Sequence, residues 1–211
     1  YAMKGGVGKT TLATNLAWCS ATLSGLHTLL WDLDAQGGAA FLLGEEKTGK
    51  RADKVFSGDV DPAKRIAPTR FPGLDLLAAD LSLRSLEHDL AEADKPKRLR
   101  KLLKQIGHDY RRIVIDCPPG LGEISDQIFR AADLIVMPVE PTPMALRSLD
   151  MVRAHLRDHH KGGPRLLPVL SIADRRKKLH VDTLAAHPDW PVIPMASAVE
   201  ESALRAAKEG L

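Results

Sequence analysis

The sequence predicts an α/β protein, a doubly wound and mostly parallel sheet flanked by helices. Apolar runs of strand length alternate with amphipathic helical patterns, the arrangement that builds a sheet covered on both faces. Those runs are continuous rather than alternating, as strands buried on both sides should be. A glycine-rich turn at residues 4–8 leads straight into a helical pattern, the join of a strand-to-helix phosphate site.

The elements follow in order. A first strand is expected to lie largely before Met3. Leu12, Leu16, Cys19 and Leu23 share one face of a first helix, and strands are expected over 28–32, 74–78, 112–116, 134–138, 166–170 and 191–194. Leu99, Leu102, Leu103 and Ile106 line one face of a second helix, and Ala145, Leu149, Val152 and Leu156 one face of a third. Residues 44–72 are polar and irregular, so loops and short helices near the ligand are expected there. No composition break divides the chain, and residues 1–211 read as a single domain.

Composition narrows the class. With 211 residues, 44% hydrophobic and 27% charged, the chain can bury its own core, which excludes disorder and collagen. The longest apolar stretch, 132–139, contains Asp133 and Pro138 and is far shorter than the ~20 residues of a bilayer crossing, so no membrane span is expected. Two cysteines, Cys19 and Cys117, make no disulfide framework, and no apolar signal segment opens the chain; a cytoplasmic location is the expectation. A net charge of +3 leans only mildly toward anionic partners.

The strongest signal is Lys4-Gly5-Gly6-Val7-Gly8-Lys9-Thr10-Thr11. Gly5, Gly6 and Gly8 let successive N–H groups turn inward, and the helix behind them adds its positive end, so the loop suits phosphate oxygens. Lys9 would bridge the β- and γ-phosphates of ATP, Thr10 would offer a hydroxyl to Mg²⁺, and Thr11 would meet the α-phosphate. Lys4 is a second and chemically separate cation at the entrance.

These eight residues resemble the deviant Walker A loop of the ParA/MinD family of partition and positioning ATPases, a class of P-loop NTPase. The resemblance implies that Lys4 reaches across an ATP-dependent homodimer to the partner's phosphates, in the manner of an arginine finger. Asp32-Leu33-Asp34-Ala35-Gln36-Gly37-Gly38 resembles the family's second motif. By that match Asp34 orients the attacking water and Asp32 supports the Mg²⁺ shell, although Ala35 and Gly38 replace the usual Pro and Asn. The apolar strand 112–116 ends in Asp116 and looks like a Walker B, whose carboxylate would hold Mg²⁺ through water. Cys117, without a partner at ligand spacing, is assigned to packing.

The likeness extends through 73–79, 132–139 and 192–194. It implies a complete first strand and a C-terminal helix in the family fold, and an adaptor of ParB-like or cargo-specific type. Residues 195–198 lack the arginines of DNA-sliding members. Arg175, Arg176, Lys177 and Lys178 are either a nonspecific DNA contact, with nucleoid association, or a solvated run. Lys97, Arg98, Arg100, Lys101 and Lys104 are expected on a solvated helix face, and His159-His160 at an exposed helix end without carboxylate company. Residues 203–211 are too short and weakly apolar for a membrane-binding helix. The competing function is an ATP-dependent biosynthetic ligase of the dethiobiotin synthetase-like type on the same scaffold.

Overall fold

The first half of the chain runs through α1 (Lys9–Thr22), β1 (Thr28–Asp32), α2 (Gly38–Leu43), α3 (Asp53–Ser57), β2 (Ala67–Pro68), β3 (Leu74–Leu77) and α4 (Arg98–Ile106). The second half adds β4 (Arg112–Asp116), α5 (Glu123–Ala131), β5 (Leu134–Val139), α6 (Pro143–His159), β6 (Arg165–Ala173), α7 (Lys178–Ala186) and β7 (Val192–Pro194). These elements come from a computed structural model that describes residues 1–45, 51–86, 88, 90, 96–199 and 201. The expected C-terminal segment, 203–211, lies outside the described residues.

Strand β1 is buried along its length, with Leu29 and Trp31 in one apolar cluster and Leu30 in another. It runs parallel to β3 on one side and to β4 on the other, with Asp32 opposite Asp116. Two-residue β2 is antiparallel to the outer edge of β3, where Pro68 is tolerated because an edge strand need not donate on both sides. A second parallel sheet has the order β5-β6-β7, and no hydrogen-bonded pairing joins it to β4 among the described residues. Both ladders are parallel apart from β2 and carry helices on their faces, in keeping with the expected α/β class.

The first helix corrects its expected burial. Leu16 is 41% and Leu23 71% exposed, while Ala13, Ala17 and Ala21 are the buried apolar face. Small side chains let α1 lie close to the sheet and α2. The other two helical faces are as the periodicity requires: Leu99, Leu102 and Ile106 of α4, and Ala145, Leu149, Val152 and Leu156 of α6, are buried. Strand β6 extends beyond the expected 166–170 to Ala173, and its pairing with β7 shifts register between Leu170 and Ala173, with Ile172 at φ 57°.

Residues 51–72 form short elements hung from the carboxyl edge of β3. Asp80 accepts from the N–H of Ala52 at 2.9 Å and Ser82 Oγ from that of Asp53 at 3.0 Å. Here the solvated-face expectation for Arg98 fails. Its Nε donates to the Phe56 carbonyl at 2.6 Å and its Nη2 to that of Val55 at 3.4 Å, so a cation satisfies carbonyls at the end of α3. Gly58, at φ 93°, leaves the room: a Cβ there would lie 2.6 Å from Arg98 Nη2. Arg98→Ala is expected to lower stability by about 1–2 kcal/mol, against less than about 0.5 kcal/mol for exposed Arg100→Ala, read as urea midpoints at unchanged slope.

Candidate active site

The loop folds as its glycines permit. Gly6 and Gly8 have φ of 76° and 88°, a left-handed geometry that a side chain would strain, and Gly8 is the N-cap of α1. The exposed segment 4–6 forms the rim, Val7 is buried, and Lys9 opens the helix. Lys9 Nζ donates to the Lys4 carbonyl at 3.0 Å, which folds the lysine back over the loop. Lys4 itself is exposed at the mouth. Ser171 Oγ, from β6, donates to the Val7 carbonyl at 3.1 Å and would be 3.5 Å from a Cβ on Gly8, so the second sheet braces the loop from below.

Asp32 and Asp116 end adjacent parallel strands and are each 1% exposed. Their hydrogen bonding differs completely. Asp32 Oδ1 accepts from the N–H of Asp34 at 2.9 Å and Oδ2 from that of Ala39 at 3.1 Å, so both its oxygens shape the turn into α2. Neither oxygen of Asp116 has a hydrogen-bond partner among the described residues. A buried carboxylate in that state is costly, and a cation is the usual compensation. Burial, then the Asp116 charge, pushes Asp32 up to about 7; burial likewise raises Asp116, with Asp34 adding to it and the nearby Thr10 hydroxyl and Lys9 opposing.

Asp34 is partly exposed, and its Oδ1 accepts from the N–H of Gln36 at 3.0 Å. Gly38 begins α2 directly against Thr10: a Cβ at Gly38 would meet Thr10 Cγ2 at 3.1 Å. The replacement of the usual Asn by glycine thus allows a close approach of α2 to the side chain expected to ligate metal. Cys117 is 4% exposed, and burial lifts its thiol to about 11, in keeping with packing.

The structure therefore brings Lys9, Thr10, Asp32, Asp34 and Asp116 together, with Asp34 partly exposed and Lys4 exposed at the mouth of the loop. Sequence reasoning missed Ser171 and Tyr1. Tyr1 Oη donates to the Gly120 carbonyl at 2.6 Å and its ring meets Phe129 edge-on at 5.0 Å, which fastens the turn after β4 to α5. Neither residue carries a motif; each is found only through a hydrogen bond to a residue more than 100 positions away in sequence.

The basic run is exposed, and one member is paired. Arg176 forms a two-pronged pair with Asp174, both bonds 2.9 Å, and this pair holds the Asp174 carboxyl down at about 2. Arg175, Lys177 and Lys178 remain exposed, the last two at the start of α7, where no acidic residue offsets the positive helix end.

A glycine loop at a helix start, facing carboxylates at the carboxyl edge of a parallel sheet, defines a P-loop nucleotide-binding protein. Residues 1–162 match the family described as AAA domain. The chain is 36% identical to the chromosome partitioning protein ParA of Caulobacter vibrioides over 185 residues, covering 83% of this chain and 69% of that one. It is also 36% identical over 152 residues to the sporulation initiation inhibitor protein Soj of Bacillus subtilis, covering 71% of this chain and 60% of that one. An ATP complex of a Cyanothece McdA variant superposes with a TM-score of 0.86 at 22% identity, over 98% of this chain and 85% of that one. This chain belongs to the ParA/MinD family of P-loop ATPases. It spans about 60–69% of the length of these two relatives.

The strained carboxylate pair predicts a pH signature. A carboxyl whose folded pKa is raised stabilises the fold fully below its unfolded value and loses that contribution as pH climbs through the folded one. Asp116→Asn removes one ionisation and the repulsion it imposes on Asp32. Without divalent cation, the variant should match the parent near pH 4 and exceed it by about 1 kcal/mol or more above pH 7, read from thermal midpoints across pH.

Proposed function

We propose that this protein is an ATP-switched, dimerising ATPase that positions or segregates a cargo, either plasmid or chromosomal DNA or a protein cluster. The observation that carries this proposal is Lys4, exposed on the rim of the loop while Lys9 is folded over it. Two ammonium groups in one phosphate loop, one turned in and one left out, suit a nucleotide shared between two protomers. The single-domain reading of residues 1–211 goes with this.

The residues present suit ATP and Mg²⁺. N–H groups of Gly5, Gly6, Val7 and Gly8, with the start of α1, would hold phosphate oxygens. Lys9 would neutralise β- and γ-oxygens, Thr11 would bond the α-phosphate, and Thr10 with the unpartnered Asp116 would hold the metal, directly and through water respectively. Mg²⁺, when bound, offsets the charge that develops on the phosphates. Asp34, partly exposed and anchored by the turn that Asp32 organises, would align the water for in-line attack. Asp32, with both oxygens already bonded, would support this shell by fixing the turn. Hydrolysis would be Mg²⁺-dependent, slow, and stimulated by a ParB-like or cargo-specific adaptor.

Lys9→Ala should abolish ATP binding and Lys4→Ala should retain it, by calorimetric titration of ATP with Mg²⁺, while Lys4→Ala should stay monomeric and Asp34→Ala should accumulate an ATP-bound dimer, by light-scattering mass. An Asp34→Ala protein that remains monomeric with ATP and Mg²⁺ overturns the proposal. Phosphate release that depends instead on a small carboxylic acid would establish the ligase alternative.

Nonspecific DNA contact is assigned to Arg175, Lys177 and Lys178, with Arg176 contributing less because Asp174 holds it. Cytoplasmic, nucleoid-associated protein would follow. The ATP-bound protein should shift duplex DNA with a salt-dependent affinity. Neutralising those three residues should flatten the log–log salt slope by about 0.9 for each DNA phosphate that they would otherwise neutralise, whereas Arg176→Ala should change it little. No shift at low salt would remove the DNA contact and leave the nucleotide switch standing.

A further inference from the structure

The histidines at the end of α6 depart from the exposed, unaccompanied helix end that the sequence suggests. The His160 side chain is 3% exposed. His155 Nε2 lies 2.7 Å, and His160 Nε2 3.2 Å, from the same atom, Asp126 Oδ1 of α5. Phe129, three residues beyond Asp126, flanks both rings at centroid distances of 5.9 and 5.6 Å. The carboxylate is contributed from 29 and 34 positions away, so nothing in the local sequence announced it.

His160 is held by the turn that follows it. The N–H of Gly163 donates to the His160 carbonyl at 2.8 Å, and Gly162 takes φ 72°. A Cβ on Gly163 would fall 2.7 Å from that carbonyl oxygen and 3.1 Å from His160 Cβ, so the close wrap requires glycine. Backbone geometry thereby aims a buried imidazole at the carboxylate.

Two imidazole nitrogens and a carboxylate oxygen, one from each residue, all lie within 4.8 Å of one another. That donor set suits a borderline divalent ion, with three protein ligands and an open fourth position. Ligand distances of about 2.0–2.2 Å place tetrahedral donors roughly 3.3 Å apart, so the observed cluster needs only a small adjustment to admit an ion. The exposed His159, its ring 4.8 Å from that of His155, stands beside the set. Lys97, Arg100, Arg130 and Lys161 line the adjoining cavity and repel cations in general. Binding therefore rests on the imidazoles, which favour zinc over the hard, oxygen-seeking Mg²⁺ or Ca²⁺.

We propose that Asp126, His155 and His160 form a zinc-class metal site that ties α5 to the end of α6, independent of the nucleotide site. Its place in the fold gives it a consequence. Helix α5 starts at Glu123, next to the turn whose Gly120 carbonyl is held by Tyr1, so a metal at Asp126 would fasten the helix that carries this turn.

The test is calorimetric titration of ZnCl₂ into untagged full chain in excess Mg²⁺ at neutral pH. One Zn²⁺ per chain is expected, with affinity reduced by about tenfold or more in Asp126→Asn and in His160→Gln. Asp116→Asn should keep the event, which separates it from the phosphate-loop carboxylates. Zn²⁺ should raise the thermal midpoint of the parent and not that of Asp126→Asn, and Co²⁺ should give a visible absorption band in the parent alone. Equal Zn²⁺ binding by parent and Asp126→Asn, or no binding by the folded parent, overturns the site and leaves the three residues as a hydrogen-bonded brace.

Discussion

Two carboxylates, Asp32 and Asp116, end neighbouring strands in register and are almost fully buried. Everything around the phosphate loop answers to that constraint. Like charges at this separation, removed from water, cannot both ionise without a compensating group. The fold solves half of the problem internally, because the backbone N–H groups of Asp34, in the turn, and of Ala39, in α2, each bond one oxygen of Asp32. Asp116 is left unmet among the described residues. Folding thus creates a demand for positive charge at the position where a phosphate-bound cation would arrive, and ligand binding and stability become linked through one side chain.

The same arrangement sets the geometry of neighbouring parts. Because Asp32 organises the turn, Asp34 is carried two residues onward to a less buried position, still tied to the backbone by its own hydrogen bond with Gln36. Gly38 then lets α2 begin against Thr10 without steric conflict. One carboxylate acts through the backbone, another remains available to an incoming group, and a third reaches the outer side. Three aspartates of identical chemistry thus have different surroundings, set by burial and hydrogen bonding alone.

The loop also joins the two sheets. Ser171 from β6 bonds Val7, and Tyr1 bonds the turn following β4, so parts of the chain far apart in sequence meet around the loop at 4–11. Ligand sites at the carboxyl edge of parallel strands are a general property of such sheets. What separates members of one fold is the side chains grafted on it.

The sequence by itself determined the α/β class, the loop at 4–11 and the strands ending in Asp32 and Asp116, because local spacing and hydrophobic runs encode them directly. Helix faces were legible for α4 and α6, where large apolar residues recur at helical spacing. In α1 the alanines form the buried apolar face, because small side chains permit close approach, and the leucine spacing does not announce that. Only the tertiary structure decided that Arg98 caps α3, that Arg176 is bound by Asp174, and that His160 is buried against Asp126. Only it decided which carboxylate has both oxygens hydrogen-bonded and which has neither among the described residues. The reason is physical: composition and period specify which surfaces a segment buries, whereas the partner of a polar atom depends on chain brought from far away in sequence, and no local pattern records that meeting.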